Sequence, residues 1–204
     1  MRILFTSLMT LTLIGCAGYE PLTTDVLVPA ETMARVKAQS AIAPPTLKQR
    51  QTYGILAEFP GRTFRGEPAG DSETAVADYQ EWAWAEDGKA LLIRHALEDG
   101  SYGGDTIVRP SDEEGVLTYV YNTNAGFSTQ GTFSVSPDGV WEAVEDVVGQ
   151  SEVTKVRSRG HRREDGALVS ASDYLKHGEW VPGHSFVYVE THADLPELQT
   201  AVPQ

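Results

Sequence analysis

Apolar and polar residues alternate through Phe127-Ser128-Thr129-Gln130-Gly131-Thr132-Phe133-Ser134-Val135-Ser136, and this alternation decides the fold. Every even position is polar, whereas the odd positions carry Phe, Thr, Gly, Phe and Val. A period of two is typical of a β-strand that lays one face against a core. Pro137-Asp138-Gly139 then supplies a turn, because proline fixes φ and glycine readily adopts positive φ. Residues 140–148 are therefore expected to return as the partner strand.

Turn signals of the same kind recur along the rest of the chain. Short connections without a long helical pattern between them imply antiparallel neighbours, and a sheet of roughly eight to ten strands normally closes to protect its edges. The sequence therefore predicts an all-β fold, an antiparallel up-and-down meander of about eight to ten strands that forms a closed barrel after a short helical lead-in. The turn signals are Asp87-Gly88, Asp99-Gly100, Gly103-Gly104, Asn124-Ala125-Gly126, Pro137-Asp138-Gly139, Asp165-Gly166 and Pro182-Gly183.

Composition limits the possible classes of function. The 204 residues are 41% hydrophobic and 22% charged, which is enough apolar material for one globular domain with a core. The formal net charge of -13 argues against binding to nucleic acid, since a polyanion is attracted by a basic surface.

The beginning of the chain has the pattern of a secretion signal. A positive Met1-Arg2 is followed by the apolar run 3–13, which is too short to span a bilayer, and then by Leu13-Ile14-Gly15-Cys16. These last four residues resemble the lipobox of bacterial lipoproteins, in which the cysteine is acylated and becomes the first mature residue. The resemblance implies a signal peptide over residues 1–15, palmitate on Cys16 and attachment to a membrane through that lipid. The alternatives are an ordinary signal peptide with an incidental cysteine or an N-terminal membrane helix.

The segment after Cys16 bears on the membrane location of the protein and on where the folded domain begins. Ala17 rather than Asp follows the cysteine, which in the proteobacterial sorting pattern implies the periplasmic face of the outer membrane. Residues 16–45 are rich in proline and are expected to form a tether, with a weak helical pattern over 31–41. Pro45 is expected in the first turn of a second short helix. The barrel domain is expected over residues 46–192 and a tail over 193–204.

Two glycine- and aromatic-containing segments bound the predicted barrel. Gly61-Arg62-Thr63-Phe64-Arg65-Gly66 opens it, and Gly178-Glu179-Trp180 with Phe186-Val187-Tyr188-Val189 closes it. With the helical lead-in and the consecutive hairpins, these residues resemble the calycin superfamily, which includes the lipocalins, the fatty-acid-binding proteins and small bacterial relatives. Phe64 stands where lipocalins carry the tryptophan of their Gly-x-Trp motif. The resemblance covers about residues 54–191 and implies a small apolar or amphipathic ligand in the cavity of a barrel.

Aromatic side chains and one histidine are the candidate ligand-binding residues. Apolar rings with a few polar tips suit a small ligand, although the same rings would also fill a small barrel without one. Trp82 and Trp84 lie two positions apart and therefore share one strand face. His95 lies in an apolar strand, where it either orients a ligand or is a hydrogen-bonded core residue. The full set is Trp82, Trp84, His95, Tyr119, Tyr121, Trp180 and Tyr188.

Three cationic side chains share another strand face. Lys155, Arg157 and Arg159 occupy alternate positions, so they would either hold an anion inside the barrel or form a solvated face. In the second case, acids such as Glu142 and Asp146 on a neighbouring strand would balance them. The solvated face is the favoured interpretation, because three cations in a cavity would lose much hydration energy.

The sequence carries no recognisable catalytic or metal motif. The remaining histidines lie mostly in turns and lack metal-ligand spacing, so neither a metal nor another cofactor is expected. Gly183-His184-Ser185-Phe186-Val187 lacks the final glycine of a hydrolase nucleophile elbow. Two hypotheses remain, a lipid-anchored envelope protein whose barrel binds a small ligand and a structural or interaction lipoprotein with a filled barrel. The sequence assigns no protein partner, and enzymatic activity is the less favoured interpretation.

Overall fold

In the computed structural model, the described residues are 43–69 and 76–199. One helix, α1 (Leu47–Tyr53), continues directly into a 3₁₀ helix (Gly54–Glu58), and a second 3₁₀ turn covers Glu86–Gly88. The remaining elements are the strands β1 (Thr63–Pro68), β2 (Asp78–Ala85), β3 (Ala90–Leu97), β4 (Gly103–Pro110), β5 (Val116–Thr123), β6 (Ser128–Val135), β7 (Trp141–Val148), β8 (Val153–Arg162), β9 (Leu168–Lys176) and β10 (Glu179–Thr191).

The strands form a closed antiparallel barrel. Each strand pairs with its neighbours in sequence, and β1 also pairs with β10, which places Gly66 opposite Tyr188. Closure leaves no long edge of unpaired backbone groups in this sheet. The predicted all-β meander is confirmed, with the strand number at the upper end of the expected range.

The hairpin between β6 and β7 has the predicted turn chemistry. Gly139 adopts a φ of 82°, and its N–H donates to the carbonyl of Ser136 at 2.9 Å. The register that follows places Val135 opposite Trp141 and Phe133 opposite Ala143. Proline and glycine at this turn therefore set which residues of the two strands share a face.

The N-terminal lead-in closes one end of the barrel, which we call the capped end. Residues 47–59, the capping segment, bury Tyr53, Leu56 and Phe59 against the barrel interior. The hydroxyl of Tyr53 donates to the carbonyl of Lys89 at 2.6 Å, in the connection between β2 and β3. The hairpins that join β2 to β3, β4 to β5, β6 to β7 and β8 to β9 lie at this end, because the strand direction alternates.

The helix begins slightly later than the sequence pattern predicts. Thr46 is the N-cap, and its side chain accepts from the backbone N–H of Gln49 at 3.2 Å. The Gln49 side chain in turn accepts from the backbone N–H of Thr46 at 2.8 Å, which completes a capping box. Pro45 therefore precedes the N-cap instead of occupying the first turn, because the side chain of Thr46 satisfies the orphan donor there.

The outward face of β8 carries the three cations noted in the sequence. Lys155 pairs with Asp146, and Arg159 lies 3.5 Å from Glu142, both acids on the adjacent strand β7. Arg157 lies 2.8 Å from Asp173 on β9. The favoured interpretation as a solvated, charge-balanced face is confirmed, and such exposed pairs each contribute only about 0 to 1 kcal/mol.

Several sequence-based expectations fall outside the described residues. Cys16, the signal peptide, most of the tether, the helical pattern at 31–41 and the end of the tail lie in residues 1–42 and 200–204. The anchor and the domain boundaries therefore stay predictions. Within residues 43–69 and 76–199, no helix combines the length and the apolar character needed to cross a membrane.

Candidate binding site in the barrel interior

The inward-facing side chains divide the barrel into two chemically different halves. Toward the capped end the interior is apolar and dry, with Leu91, Val108 and Leu117 exposing 2% of their surface or less. These residues pack with the capping segment in one cluster. Toward the opposite end, called the far end, the same strands present hydroxyl, carboxyl and imidazole groups. The chemistry of the inner wall changes along the barrel axis because inward positions on several strands change from apolar to polar, as on β2 from Trp84 and Trp82 to Asp78.

Trp82 and Trp84 belong to the apolar half. The Trp82 ring centroid lies 5.1 Å from that of Phe59 in an edge-to-face arrangement, and the Trp84 ring lies 5.3 Å from Tyr53 in a similar one. Both tryptophans therefore contact the capping segment, and Trp82 is 6% exposed. The two indoles share the inward face of β2, as their spacing predicts.

A chain of hydrogen bonds crosses the polar half. His95 Nδ1 lies 2.8 Å from Asp78 Oδ1, and His95 Nε2 contacts the hydroxyl of Tyr121. Tyr188 donates its hydroxyl to the second oxygen of Asp78 at 2.7 Å. Because a carboxylate only accepts, the Nδ1–H of His95 is the donor to Asp78. Strands β2, β3, β5 and β10 thus each contribute one member of this group, which we call the Asp78 network.

The tyrosines of this network remain neutral hydrogen-bond donors near pH 7. Burial is the main cause that raises the pKa of Tyr121, and the neighbouring Tyr102 raises it further. Burial likewise raises the pKa of Tyr188, and the nearby carboxylate of Asp78 adds to the effect. The Tyr102 hydroxyl, also mainly because of burial, has its pKa raised to about 12. The network therefore contains neutral hydroxyl groups that are hydrogen-bonded to Asp78 and His95.

Glu145 on β7 forms a second polar group on the inner wall. Its Oε2 accepts from the Tyr119 hydroxyl at 2.9 Å and from the Thr129 hydroxyl. Burial raises the pKa of the Glu145 carboxyl, while these two hydrogen bonds act in the opposite direction. Glu145 is therefore a carboxyl group whose charged form is costly to keep in the barrel without a positive partner.

His184 on β10 forms a third polar group. The Ser172 Oγ lies 3.3 Å from its Nε2, and the Tyr174 hydroxyl contacts its Nδ1. Burial lowers the pKa of His184, the charge of His95 lowers it further, and Asp78 opposes both. Sequence reasoning placed the later histidines mostly in turns, and for His184 that was wrong. A register shift between Pro182 and Ser185 lets β10 continue through this segment.

The polar half is partly open to solvent although its residues face inward. The His95 side chain is 20% exposed, Tyr121 and Glu145 are partly exposed, and His184 is exposed. Ser158, Ser170 and Phe186 on the same inner wall are also partly exposed. Other inward-facing side chains of this half are buried, namely Asp78, Thr129, Ser172 and Tyr188, so solvent reaches the polar half only in part. The arrangement is a group of polar side chains toward the far end that adjoins the apolar cluster at the capped end.

Tyr119, Tyr121, His95 and Tyr188 meet in this site, whereas Trp180 lies elsewhere. Trp180 faces outward, is 39% exposed and lies 4.5 Å from the guanidinium carbon of Arg157. Its position follows from the register, in which the next residue, Val181, lies opposite the inward-facing Tyr174.

Sequence reasoning missed several members of the site, among them Asp78, Glu145, Tyr102 and His184. Asp78 lies four positions before Trp82 and therefore on the same strand face, so the alternation in β2 was a usable signal. Glu145 lies between Ala143 and Val147 on the inward face of β7, but the acids beside it were interpreted only as surface charges. Tyr102 and His184 lie next to turn signals, and no local pattern shows that they face inward.

Other concave surfaces flank the capping segment. One groove of about 330 Å³ is lined in part by Phe59, Arg62 and Arg162, and another of about 570 Å³ in part by Ile55 and Pro137. The arginines of the first groove are paired, Arg62 with Glu190 and Arg162 with Glu58. Among the described residues, no three His, Cys, Asp or Glu side chains are arranged to hold a metal ion.

Comparisons with known proteins identify no family for this chain. No protein-family model matches the sequence, and no curated protein matches it either. The chain is similar to the crystal structure of Rv2717c from M. tuberculosis, with 16% sequence identity and a TM-score of 0.46. The match covers 64% of this chain and 92% of that one. The barrel architecture described above rests on the strand pairing itself.

Proposed function

We propose that this protein is a lipid-anchored envelope protein whose β-barrel binds a small amphipathic molecule. The observation that carries the proposal is the grouping of polar side chains, several of them partly exposed, toward the far end of the interior, beside an apolar cluster toward the capped end. A soluble barrel that only needed a filled core would be expected to pack apolar side chains through its whole length. Polar groups grouped on one part of the inner wall favour recognition of a ligand.

The site offers separate contacts for the two parts of such a ligand. The apolar part has aromatic surface available from Phe186, which lies 5.6 Å from Tyr188, and from Tyr102, which stacks on Phe127 at 6.3 Å. The polar part would compete for the hydrogen bonds that His95 makes with Tyr121 and that His184 makes with Tyr174. Each direct hydrogen bond is expected to contribute about 0.5 to 1.5 kcal/mol.

The structural alternative has one specific observation in its favour. Trp82 and Trp84, the largest of the aromatic candidates, pack against Phe59 and Tyr53 of the capping segment. If the polar half were also closed by its own hydrogen bonds in solution, the barrel would be a rigid scaffold that presents its outer surface to partners. A measurement of ligand binding in the polar half distinguishes a ligand-binding protein from a rigid scaffold.

The experiment uses octanol as the probe, with isothermal calorimetry and thermal unfolding of the full-length protein. We expect saturable binding and a rise in melting temperature with octanol concentration, because a ligand that binds only the folded state stabilises it by mass action. Tyr121→Phe removes one hydroxyl of the site and is expected to weaken binding about three- to tenfold. Tyr79→Phe is the matched control, since Tyr79 faces outward and its hydroxyl accepts from Arg65 at 3.0 Å. Equal octanol affinity in both variants, or no binding to the wild type, would overturn the proposed site.

The anchor is supported by the sequence Leu13-Ile14-Gly15-Cys16. Wild type and Cys16→Ser are to be expressed with labelled palmitate in a bacterial host and separated into membrane and soluble fractions. Only the wild type is expected to carry label, and it should remain with the membranes, because acyl chains contribute about 0.8 kcal/mol per buried CH₂ group. Equal labelling of the two forms would remove the lipid anchor from the proposal.

A further inference from the structure

We infer that the ligand of the barrel carries a positive charge at its polar end, as an alkyl or aryl ammonium compound does, and that carboxylates such as fatty acids are excluded. This inference rests on the proposed binding function and specifies its substrate class. It depends on three properties of the polar half, which are its charge, its unused hydrogen-bond acceptor and its aromatic walls.

The two carboxyl groups of the inner wall have no lysine or arginine partner among the described residues. Asp78 and Glu145 both face inward, on β2 and β7. Among the described residues, the lysines and arginines of the far half face outward or lie at its rim. Lys155 and Arg157 alternate with inward positions and pair with Asp146 and Asp173, and Arg94 on β3 lies 3.7 Å from Asp105 on the outer side of β4.

The rim contains one cation that comes close to the site. Lys176 at the end of β9 lies 2.9 Å from Glu152 and 5.9 Å from the ring centroid of Tyr174. Its charge is therefore balanced by an exposed carboxylate of the neighbouring connection. An entering carboxylate would compete with Glu152 for this ammonium group and would then meet Glu145 and Asp78 deeper in the barrel.

Glu145 has an acceptor oxygen that the described residues do not occupy. Tyr119 and Thr129 both donate to Oε2, and no described residue donates to Oε1. Since Glu145 is partly exposed, Oε1 is available to a donor that enters the barrel. An ammonium group supplies both the missing donor and the missing positive charge, which makes it a better partner for this oxygen than a hydroxyl group.

The aromatic walls favour the same charge. Tyr102, Tyr121, Tyr174 and Phe186 contribute rings around the histidines of the site, with His95 5.2 Å from Tyr121 and His184 5.6 Å from Phe186. The face of an aromatic ring is negative and attracts ammonium groups while it repels carboxylates. The two imidazoles do not reverse this preference, because His95 is directed at Asp78 and burial lowers the pKa of His184.

The test compares three probes that share an eight-carbon alkyl chain and differ in their head group: octylammonium, octanol and octanoate. Their binding is measured by calorimetry on the full-length protein at neutral pH and low salt. We expect octylammonium to bind at least about tenfold more tightly than octanoate, with octanol between them. Glu145→Gln keeps the shape of the side chain and is expected to lower the ratio of octylammonium to octanol affinity by about tenfold. Glu142→Gln removes the same charge from the outward face of the same strand, where the side chain is 62% exposed, and is expected to leave that ratio unchanged.

The possible results separate the two claims. Binding of octanol and octanoate as tight as that of octylammonium would overturn the charge preference and leave the binding function in place. Binding of none of the three probes would overturn the binding function itself. The wild-type comparison does not depend on the variants, so it decides the charge preference even if Glu145→Gln fails to fold. If the ratio of octylammonium to octanol affinity fell equally in Glu145→Gln and Glu142→Gln, the charge preference would come from the net charge of the protein, and the role of the interior would be overturned.

Discussion

Replacement of Trp82 by alanine tests whether the capped half of the barrel is a packed core. The indole is 6% exposed, lies edge-to-face on Phe59 and donates its N–H to the side chain of Gln80 at 3.3 Å. A buried aromatic side chain removes roughly 150 to 250 Å² from water, which corresponds to an upper value of about 4 to 6 kcal/mol. Large-to-small core substitutions at aromatic positions cost about 3 to 5 kcal/mol. We therefore expect Trp82→Ala to lower the free energy of unfolding by about 4 kcal/mol.

Urea denaturation measures this loss directly. With an m-value of about 2 kcal/mol per molar urea, the midpoint is expected to fall by about 2 M without a change in m. Trp180→Ala is the matched control, because Trp180 is 39% exposed and makes a cation–π contact with Arg157. Trp180→Ala is expected to lower the free energy of unfolding by about 1 kcal/mol or less. A cost for Trp82→Ala as small as that for Trp180→Ala would show that Trp82 lines open space, and the division into a dry and an accessible half would be wrong.

Two further predictions concern stability. Because burial raises the pKa of Glu145, the folded state holds the Glu145 proton more tightly than the unfolded state, and stability falls as pH rises from the ordinary value of this carboxyl through its raised pKa. The urea midpoint of Glu145→Gln should therefore exceed that of the wild type by more at pH 7 than at about pH 4, whereas Glu142→Gln should show no such difference. Equal differences for Glu145→Gln at both pH values would contradict a raised pKa of Glu145. Residues 43–199 are expected to give a β-type circular dichroism spectrum with one cooperative unfolding transition. The same chain without residues 43–60 should melt at a much lower temperature because Trp82 and Leu91 lose their cover, and equal melting temperatures would refute the role of the capping segment.

The strands and turns could be predicted because their signals are local. Alternation over residues 127–136 is a property of neighbouring residues, and the turn at Gly139 needs only a residue that adopts positive φ. Similar signals along the chain were enough to predict a closed meander. They also placed Trp82 with Trp84 on one face and the acids Glu142 and Asp146 on a strand beside the cations of β8.

The inward face of individual strands was harder to predict where both faces are covered. On β2, Tyr79 and Ala83 are buried on the outer face while Trp82 is buried on the inner one, so the strand shows no simple alternation of apolar and polar residues. Trp180 was included among the interior candidates for its residue type, yet the strand register turns it outward. Residue type alone does not decide which side of a barrel wall a side chain occupies.

The sequence by itself determined the all-β class and the hairpins, because period-two alternation and turn chemistry act between residues close in the chain. The tertiary structure alone decided which polar residues meet in the candidate site. Asp78 accepts from Tyr188 across 110 positions of sequence and from His95 across 17. The first contact exists only because β1 pairs with both β2 and β10, and no local pattern encodes which polar residues that closure brings together.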